Sequence, residues 1–330
     1  MTAFSILDLA PVVEGGNAAE SLANSLVLAR AAENWGYSRY WIAEHHNMAG
    51  IASSATSVVI GYIAGGTRTI RVGAGGIMLP NHSPLIIAEQ FGTLASLYPD
   101  RIDLGLGRAP GTDQVTWQAL RRHATTDVND FPRDVVELQH YLREPQEGQR
   151  VVATPGAGTN VPIWILGSSL FGAQLAAMLG LPFAFASHFA PAALDQAIAI
   201  YREKFEPSEQ LSEPYITLGY NVCAAASDSE AVHLRTSSLQ SFVNLRRGVP
   251  GKLPPPVAGY EEQLSATERA MVRELSRCAA VGSPDSIKSQ IDAFLDLTRA
   301  DELIIVSSVF EHEARLRSYE ITADILGLTR

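Results

Sequence analysis

Residues 70–97 read IRVGAGGIMLPNHSPLIIAEQFGTLASL, which is a short apolar run followed by a longer amphipathic one. The first part, 70–79, has the nearly continuous apolar character of a buried parallel strand, and Pro84–Leu97 has the spacing of a helix. A strand, a helix and the next parallel strand form the repeating unit of α/β proteins. We therefore expect the flanking sequence to repeat this unit.

The alternation of short apolar and longer amphipathic runs extends over the whole chain of 330 residues. Strands are predicted at 3–9, 39–43, 70–79, 102–106, 162–166, 182–186, 215–225 and 302–307. Helices are predicted at 18–35, 53–64, 84–97, 131–142, 168–179, 191–205, 229–246, 284–297 and 312–326.

Eight β/α units indicate a (β/α)₈ TIM barrel. An open doubly wound sheet is disfavoured, because Asp8-Leu9-Ala10-Pro11 stands where a dinucleotide-binding sheet has its glycine-rich turn.

We expect one domain over residues 1–330, with two connections longer than a barrel needs. They span about 108–161, after the fourth strand, and about 247–282, after the seventh. Both leave from the carboxyl ends of strands, the face at which such barrels build their active sites. The two insertions are therefore expected to cover the mouth of the barrel.

Composition narrows the class of function. Apolar residues make up 46% of the chain and charged residues 18%, with a net charge of −10 and no basic block. This balance disfavours nucleic acid and anionic membranes as partners.

The chain lacks a basic signal segment and an apolar run long enough to cross a bilayer, which predicts a cytoplasmic protein. Cys223 and Cys278 are too few for a disulfide scaffold, and we interpret them as buried thiols.

The most informative polar cluster is Glu44-His45-His46-Asn47, at the end of the second predicted strand. Imidazole titrates near neutral pH, so a histidine at the barrel mouth can donate or accept a proton. Adjacent side chains of an extended chain point in opposite directions, which disfavours chelation of one metal ion by His45 and His46. We therefore predict no metal site here. The alternative to a catalytic role is a structural one, in which one ring merely bridges carbonyl groups at the strand ends.

A second cluster combines Gly167-Ser168-Ser169, where the fifth strand passes into a helix, with Arg108 at the end of the fourth. Helix N-termini carry unpaired N–H groups and favour anions. Serine there can also be a simple helix cap. Because the two strands are neighbours in a barrel built in sequence order, Arg108 and the serine turn could share one phosphate.

Two glycines, Gly75 and Gly76, interrupt the third strand. Glycine inside a strand indicates either a bulge or the close approach of a flat ligand. The other polar positions near strand ends are Asp8, Ser187, His188, Asn221, Ser307 and Ser308. Of these, His188 and Asn221 are the further candidates for polar contacts to a ligand.

Taken in order, these motifs resemble those of flavin-dependent monooxygenases of the bacterial luciferase type. The matching segments are Trp41-Ile42-Ala43-Glu44-His45-His46, Val72-Gly73-Ala74-Gly75-Gly76-Ile77-Met78-Leu79-Pro80, Pro99-Asp100-Arg101-Ile102-Asp103-Leu104-Gly105-Leu106-Gly107-Arg108, Ile165-Leu166-Gly167-Ser168-Ser169 and Val281-Gly282-Ser283-Pro284. The resemblance extends nearly from end to end and is closest to a branch whose members mostly lack an assigned substrate.

The resemblance implies a barrel that binds reduced FMN from a separate reductase and uses molecular oxygen to oxygenate a small organic substrate. It assigns the catalytic role to His45 and the FMN phosphate to Arg108, Gly167, Ser168 and Ser169. It also implies a non-proline cis peptide at Gly75-Gly76 against the flavin ring, and a homodimer. Two alternatives stay open: a deazaflavin-dependent oxidoreductase, which a related branch contains, and a flavin-binding protein without turnover.

Overall fold

The computed structural model describes residues 2–109, 114–120 and 128–328. Parts of the predicted insertion after the fourth strand, residues 110–113 and 121–127, lie outside this range. The strands are β1 (Ala3–Asp8), β2 (Arg39–Ile42), β3 (Arg71–Met78), β4 (Ile102–Gly107), β5 (Ile163–Gly167), β6 (Phe183–Phe185), β7 (Ile216–Ala224), β8 (Ala279–Gly282) and β9 (Glu302–Val306). All pairings between these strands are parallel.

Eight of these strands close into a barrel in the order β1-β2-β3-β4-β5-β6-β7-β9, because β1 pairs with β9 and β7 pairs with both β6 and β9. The prediction of a (β/α)₈ TIM barrel is confirmed. Each of the eight predicted strands is present, with ends that differ by at most two residues.

The prediction of only eight strands is wrong in one place, since β8 lies inside the predicted insertion 247–282. Its residues pair with Asn221–Ala224, the part of β7 that extends beyond the pairing of β7 with β6, which ends at Leu218. The segment reads AAVG, which is too short and too poor in bulky side chains to stand out as a strand. It forms because the overhanging half of β7 offers an unpaired edge.

Helices surround the barrel. They are α1 (Ala18–Trp35), α2 (Thr56–Gly66), α3 (Pro84–Leu97), α4 (Gln114–Leu120), α5 (Phe131–Leu142), α6 (Leu170–Leu179), α7 (Leu194–Lys204), α8 (Asp228–Arg246), α9 (Ala266–Leu275), α10 (Pro284–Thr298) and α11 (His312–Ile325). The sequence prediction missed α4 and α9, which both lie in the predicted insertions. None of the helices in the described ranges is long and apolar enough to cross a bilayer.

The interior of the barrel is layered along its axis. At the amino ends of the strands, Arg39 pairs with Asp103 at 2.9 Å and with Glu302 at 3.2 Å, and Arg71 pairs with Asp103 at 2.6 Å. Above this charged layer lies an apolar layer in which the rings of Trp41 and Trp164 meet edge to face. The two layers close the lower part of the barrel, so the functional site has to lie at its carboxyl end.

The expectation that residues 108–161 cover the mouth is wrong for the second half of that stretch. Helix α5 returns the chain toward the amino ends of the strands, and Gly156 then lies against Ala88 and Gly92 of α3. A Cβ on Gly156 would lie 2.4 Å from the carbonyl oxygen of Ala88. These residues therefore belong to the outer helical layer.

The last residue of α8 and the first residues after the helix lie against loops at the mouth. The guanidinium of Arg246 lies over the ring of Phe189, in the loop after β6, at 5.1 Å. Further on, the N–H of Leu253 donates to the Val12 carbonyl, and the N–H of Glu14 donates to the Leu253 carbonyl, at 2.9 and 2.8 Å. This part of the chain thus connects the loop after β6 with the loop after β1.

Candidate active site

The Glu44 carboxylate organises the end of β2. It is 1% exposed, and its Oε1 atom lies 2.8 Å from Nε2 of His46 and 2.8 Å from Nε2 of His82. The backbone N–H of Met78 donates to its Oε2 atom at 3.2 Å. Burial by itself would raise the pKa of Glu44, but these hydrogen bonds and the positive charge of His82 lower it to about 2. Glu44 is therefore ionised at neutral pH and joins β2 to the end of β3.

His82 is a residue of this cluster that the sequence did not indicate. It follows the short 3-10 turn Leu79–Asn81 after β3, and only closure of the barrel brings it beside β2. The sequence did contain one sign of its role: His82 is a histidine just beyond the end of β3, the strand that neighbours β2.

His45 and His188 approach each other from opposite sides of the mouth. They follow β2 and β6, which stand four places apart in the eight-stranded order. Burial and the positive charge of His45 lower the pKa of His188 to about 4. The effect of His45 on His188 indicates that the two imidazoles lie close enough to interact electrostatically across the mouth.

The His188 ring is held against β7. A Cβ on Gly219 would lie 2.0 Å from Nδ1 of His188, so the ring occupies the space that the glycine leaves. Asn221 donates from Nδ2 to the His188 carbonyl at 2.7 Å. The Nδ1 atom is buried and has no hydrogen-bond partner in the part of the chain that the structure describes. The residue as a whole is partly exposed, so the part of the ring away from Gly219 is the part that can meet a ligand at the mouth.

The peptide bond between Gly75 and Gly76 is cis, as the family resemblance implies. The register of β3 against β4 shifts between Ala74 and Ile77, so an irregularity of the strand is present here. A Cβ on Gly75 would lie 2.6 Å from Leu7, and one on Gly76 would lie 2.7 Å from the Gly105 carbonyl oxygen. The backbone of β4 therefore requires glycine at position 76, whereas the close neighbour of position 75 is the tip of the Leu7 side chain, which can move.

Arg108 and the serine turn are brought together. The guanidinium of Arg108, just after β4, lies over the ring of Phe171 in the first turn of α6, 4.2 Å from its centroid. Ser169 is the N-cap of that helix, yet its side chain makes no capping hydrogen bond. Ser168 and Ser169 are both exposed. The explanation of this turn as simple capping by Ser168 is wrong, and the hydroxyls remain available to an anion.

Two other strand-end residues face the helices instead of the mouth. Asp8 accepts hydrogen bonds from Arg315 at 2.7 Å and from Ser25 and Tyr40 at 2.5 Å. Ser307 lies 3.2 Å from the hydroxyl of Ser318 on α11. Both are buried and have structural partners, which separates them from the residues at the mouth.

Comparison with known proteins identifies the family. A model of the luciferase-like monooxygenases matches residues 2–301. The chain is 54% identical to the uncharacterized protein YvbT of Bacillus subtilis (98% of this chain, 96% of the relative). It is 53% identical to a protein named luciferase-like monooxygenase from Escherichia coli, with the same coverage.

Solved structures agree with this assignment. The crystal structure of apo-MsnO8 is 36% identical, with a TM-score of 0.93 over 100% of this chain and 99% of that one. More distant structures share the fold alone. They include an FMN complex of the oxygenating constituent of 3,6-diketocamphane monooxygenase from Pseudomonas putida (17% identity, TM-score 0.72) and an F420-dependent secondary alcohol dehydrogenase (14%, 0.64). The chain belongs to the luciferase-like monooxygenase family, and it is an oxidoreductase of the monooxygenase class.

Proposed function

We propose that this protein is an FMN-dependent monooxygenase, which uses reduced FMN and molecular oxygen to oxygenate a small organic substrate. The observation that carries the proposal is the arrangement of Arg108 beside the uncapped serine turn of α6, with His45 and His188 following β2 and β6 at the same mouth. A cation with a helix N-terminus suits a phosphate, and imidazoles suit proton transfer.

The residues around Arg108 fit the phosphate end of FMN. The guanidinium has a permanent charge and several donors, and the ring of Phe171 fixes its position. Gly167, Ser168 and Ser169 supply backbone N–H groups and two exposed hydroxyls at the positive end of α6. These groups would hold the phosphate between β4 and β5.

The flavin ring would then extend from β5 toward β3 and β2, across Gly75 and Gly76. The ends of these strands are lined by small residues, since Gly75, Gly105 and Gly107 have no side chains. His45 and His188 would flank the ring from opposite sides. We assign proton transfer to His45 and a polar contact with the flavin or the substrate to His188.

When bound, reduced FMN supplies the electrons that activate oxygen. The role of the protein is to bind and orient the flavin and the substrate and to exclude water from them. The segment from Arg246 to Leu253, which runs from the loop after β6 to the loop after β1, is placed to limit the access of solvent to the mouth. The substrate would enter beside it.

The proposal is tested with purified protein and FMN. We expect FMN to bind in its reduced form, and bound reduced FMN to consume oxygen, both measured by rapid mixing under controlled oxygen. Protein that binds FMN in neither redox state would contradict the proposal. A parallel titration with a deazaflavin separates the two cofactors: tighter binding of the deazaflavin would favour a hydride-transferring oxidoreductase.

His45→Ala distinguishes an enzyme from a flavin-binding protein. We expect this variant to retain FMN and to lose oxygenation, because the imidazole acts on the reaction and the phosphate is held elsewhere. His140→Ala, on α5 in the outer helical layer, is the matched control and should behave as the wild type. If His45→Ala leaves the reaction of reduced FMN with oxygen unchanged, a role in storage or transport becomes preferable.

We also propose a cytoplasmic homodimer that receives reduced FMN from a separate reductase by diffusion. Helix α2 contains no charged residue and exposes Val58 (70%) and Tyr62 (47%), one helical turn apart. The neighbouring helix α3 exposes Ile86 (49%) and Leu97 (63%). Apolar faces of this kind mark protein contacts. Light scattering should give twice the monomer mass, and Val58→Glu with Tyr62→Glu should reduce it to the monomer value.

A further inference from the structure

Three potential metal ligands converge at the end of β2. They are Oε1 of Glu44, Nε2 of His46 and Nε2 of His82, and all three atoms lie within 4.8 Å of one another. We propose that these residues form a binding site for a divalent transition-metal ion of the zinc class. This proposal replaces the expectation of no metal site at this cluster, which considered only the adjacent pair His45 and His46; here the second imidazole comes from His82, at another strand end.

The geometry around the carboxylate suits such an ion. Each of the two imidazole nitrogens lies 2.8 Å from the same carboxylate oxygen. Ligand atoms around a tetrahedral zinc ion stand at about 2.0–2.2 Å from the metal, so neighbouring ligand atoms are separated by about 3.4 Å. Small rotations of the side chains would therefore place all three atoms at bonding distance from one ion.

The second carboxylate oxygen is already fixed. Oε2 of Glu44 accepts the backbone N–H of Met78, which orients the carboxylate and directs Oε1 toward the imidazoles. Metal-binding carboxylates are commonly held by such outer hydrogen bonds. A site of this kind is assembled by the fold before the ion arrives.

Charge is compatible with an ion at this position. The buried Glu44 carboxylate lies 2.8 Å from each of His46 and His82, and no arginine or lysine of the described residues pairs with it. Buried charges in proteins are paired with an opposite charge or coordinate a metal. A divalent cation bound by the carboxylate and the two imidazoles would take over the compensation that the imidazoles give the carboxylate in the ion-free protein.

The ligand types select the ion. Two imidazole nitrogens and one carboxylate oxygen are borderline ligands, which suit zinc, iron, cobalt, nickel or copper. Magnesium and calcium prefer sites made of oxygen alone. Because His46 and His82 are partly exposed, a fourth position can be taken by water. The ion would lie beside His45, at the edge of the proposed flavin cavity.

The test measures metal binding without flavin, so its outcome does not depend on the proposed reaction. Wild-type protein is titrated with Zn²⁺ against a chromophoric chelator, and with Co²⁺ to record the visible spectrum of a protein-bound ion. We expect one ion per chain. His46→Asn, His82→Asn and Glu44→Gln should each weaken Zn²⁺ binding by on the order of ten-fold or more and remove the Co²⁺ bands.

Two controls keep the result interpretable. His140→Asn, outside the cluster, should bind Zn²⁺ like the wild type. Zn²⁺ should raise the melting temperature of the wild type and of His140→Asn but not that of His82→Asn, whose partly exposed side chain makes misfolding a minor concern. Zn²⁺ binding that is equal in the wild type and in His46→Asn and His82→Asn would overturn the proposal, as would a wild type that binds no Zn²⁺ in competition with the chelator.

Discussion

The guanidinium of Arg108 stacks on the ring of Phe171, with 4.2 Å between Cζ and the ring centroid. The two residues come from consecutive β/α units, and the contact fixes a cation at the N-terminus of α6. No carboxylate of the described residues pairs with Arg108, so an aromatic ring positions the guanidinium without neutralising it. A positioned and unneutralised cation is what an anionic ligand requires.

Arg108 should therefore determine the affinity for FMN. We expect Arg108→Ala to raise the FMN dissociation constant by about 10- to 100-fold, since a charge-assisted hydrogen bond contributes about 1.5–3 kcal/mol. Arg108→Lys should recover only part of this loss, because lysine keeps the charge but lacks the planar donors. Fluorescence titration measures both. Arg143→Ala, at the exposed end of α5, is the control, and equal affinities for Arg108→Ala and the control would contradict the prediction.

Ser169 should contribute to binding without contributing to stability. Ser169→Ala is expected to weaken FMN binding by several-fold and to leave the free energy of unfolding unchanged, because its hydroxyl does not cap α6. Ser227 is a matched control, since its side chain accepts the N–H of Glu230 and caps α8. Ser227→Ala should cost about 1 kcal/mol in urea unfolding and should not affect FMN. If Ser169→Ala instead lowered the free energy of unfolding and left FMN binding unchanged, Ser169 would have a structural role.

His188 should be neutral throughout the physiological pH range. Its pKa is lowered to about 4 by burial and by His45, so its NMR titration should have a midpoint near pH 4. Gly219→Ala should displace the ring, because a Cβ there would lie 2.0 Å from Nδ1. We expect a loss of turnover of about 100-fold with FMN retained. Gly251→Ala, where a Cβ meets no atom within 4 Å, is the control; comparable turnover in both variants would remove His188 from the site.

The buried pair Asp8 and Arg315 should make stability depend on pH. Burial would raise the pKa of Asp8, but the charge of Arg315 and the hydrogen bonds to the carboxylate lower it below 3.8. A carboxyl with a lowered pKa in the folded state stabilises the protein above its ordinary pKa, and this stabilisation is lost as the pH falls through the lowered value.

Replacement of Arg315 exposes this dependence. Arg315→Met leaves Asp8 buried and unpaired, and we expect a loss of about 3–5 kcal/mol at pH 7 in urea unfolding. The difference from the wild type should shrink as the pH falls, because burial without Arg315 raises the pKa of Asp8 in the variant and its carboxyl is protonated first; the difference disappears only when Asp8 of the wild type is also protonated, below its ordinary pKa. Asp292→Asn removes the exposed pair with Lys288 and should change stability by less than about 1 kcal/mol. A loss that is equal at pH 3 and pH 7 would contradict the assignment.

The sequence predicted most of the barrel from local pattern. Helices α1, α3 and α5 have the predicted ends, since each carries an apolar face with a start or stop signal. The strand β8 was missed because it is short and depends on β7 for its pairing, whereas α9 was missed although Ser265 and Glu268 form a capping box at its start. The strand-end motifs around His45, Arg108 and Gly167 were found because a barrel gathers its polar residues at one end.

The sequence by itself determined the repeat of strands and helices, the family, and the residue types at the strand ends. Each element must bury one face, and the pattern of apolar residues that this requires can be recognised within a short stretch of sequence. Only the tertiary structure decided which of those residues meet. In the folded protein Asp8 pairs with Arg315, the guanidinium of Arg108 lies over the ring of Phe171, and His82 lies within hydrogen-bond distance of Glu44. These contacts link residues 38 or more positions apart, as between Glu44 and His82, and they arise when the barrel closes. Closure is a property of all eight strands together, and no single stretch of the sequence contains it.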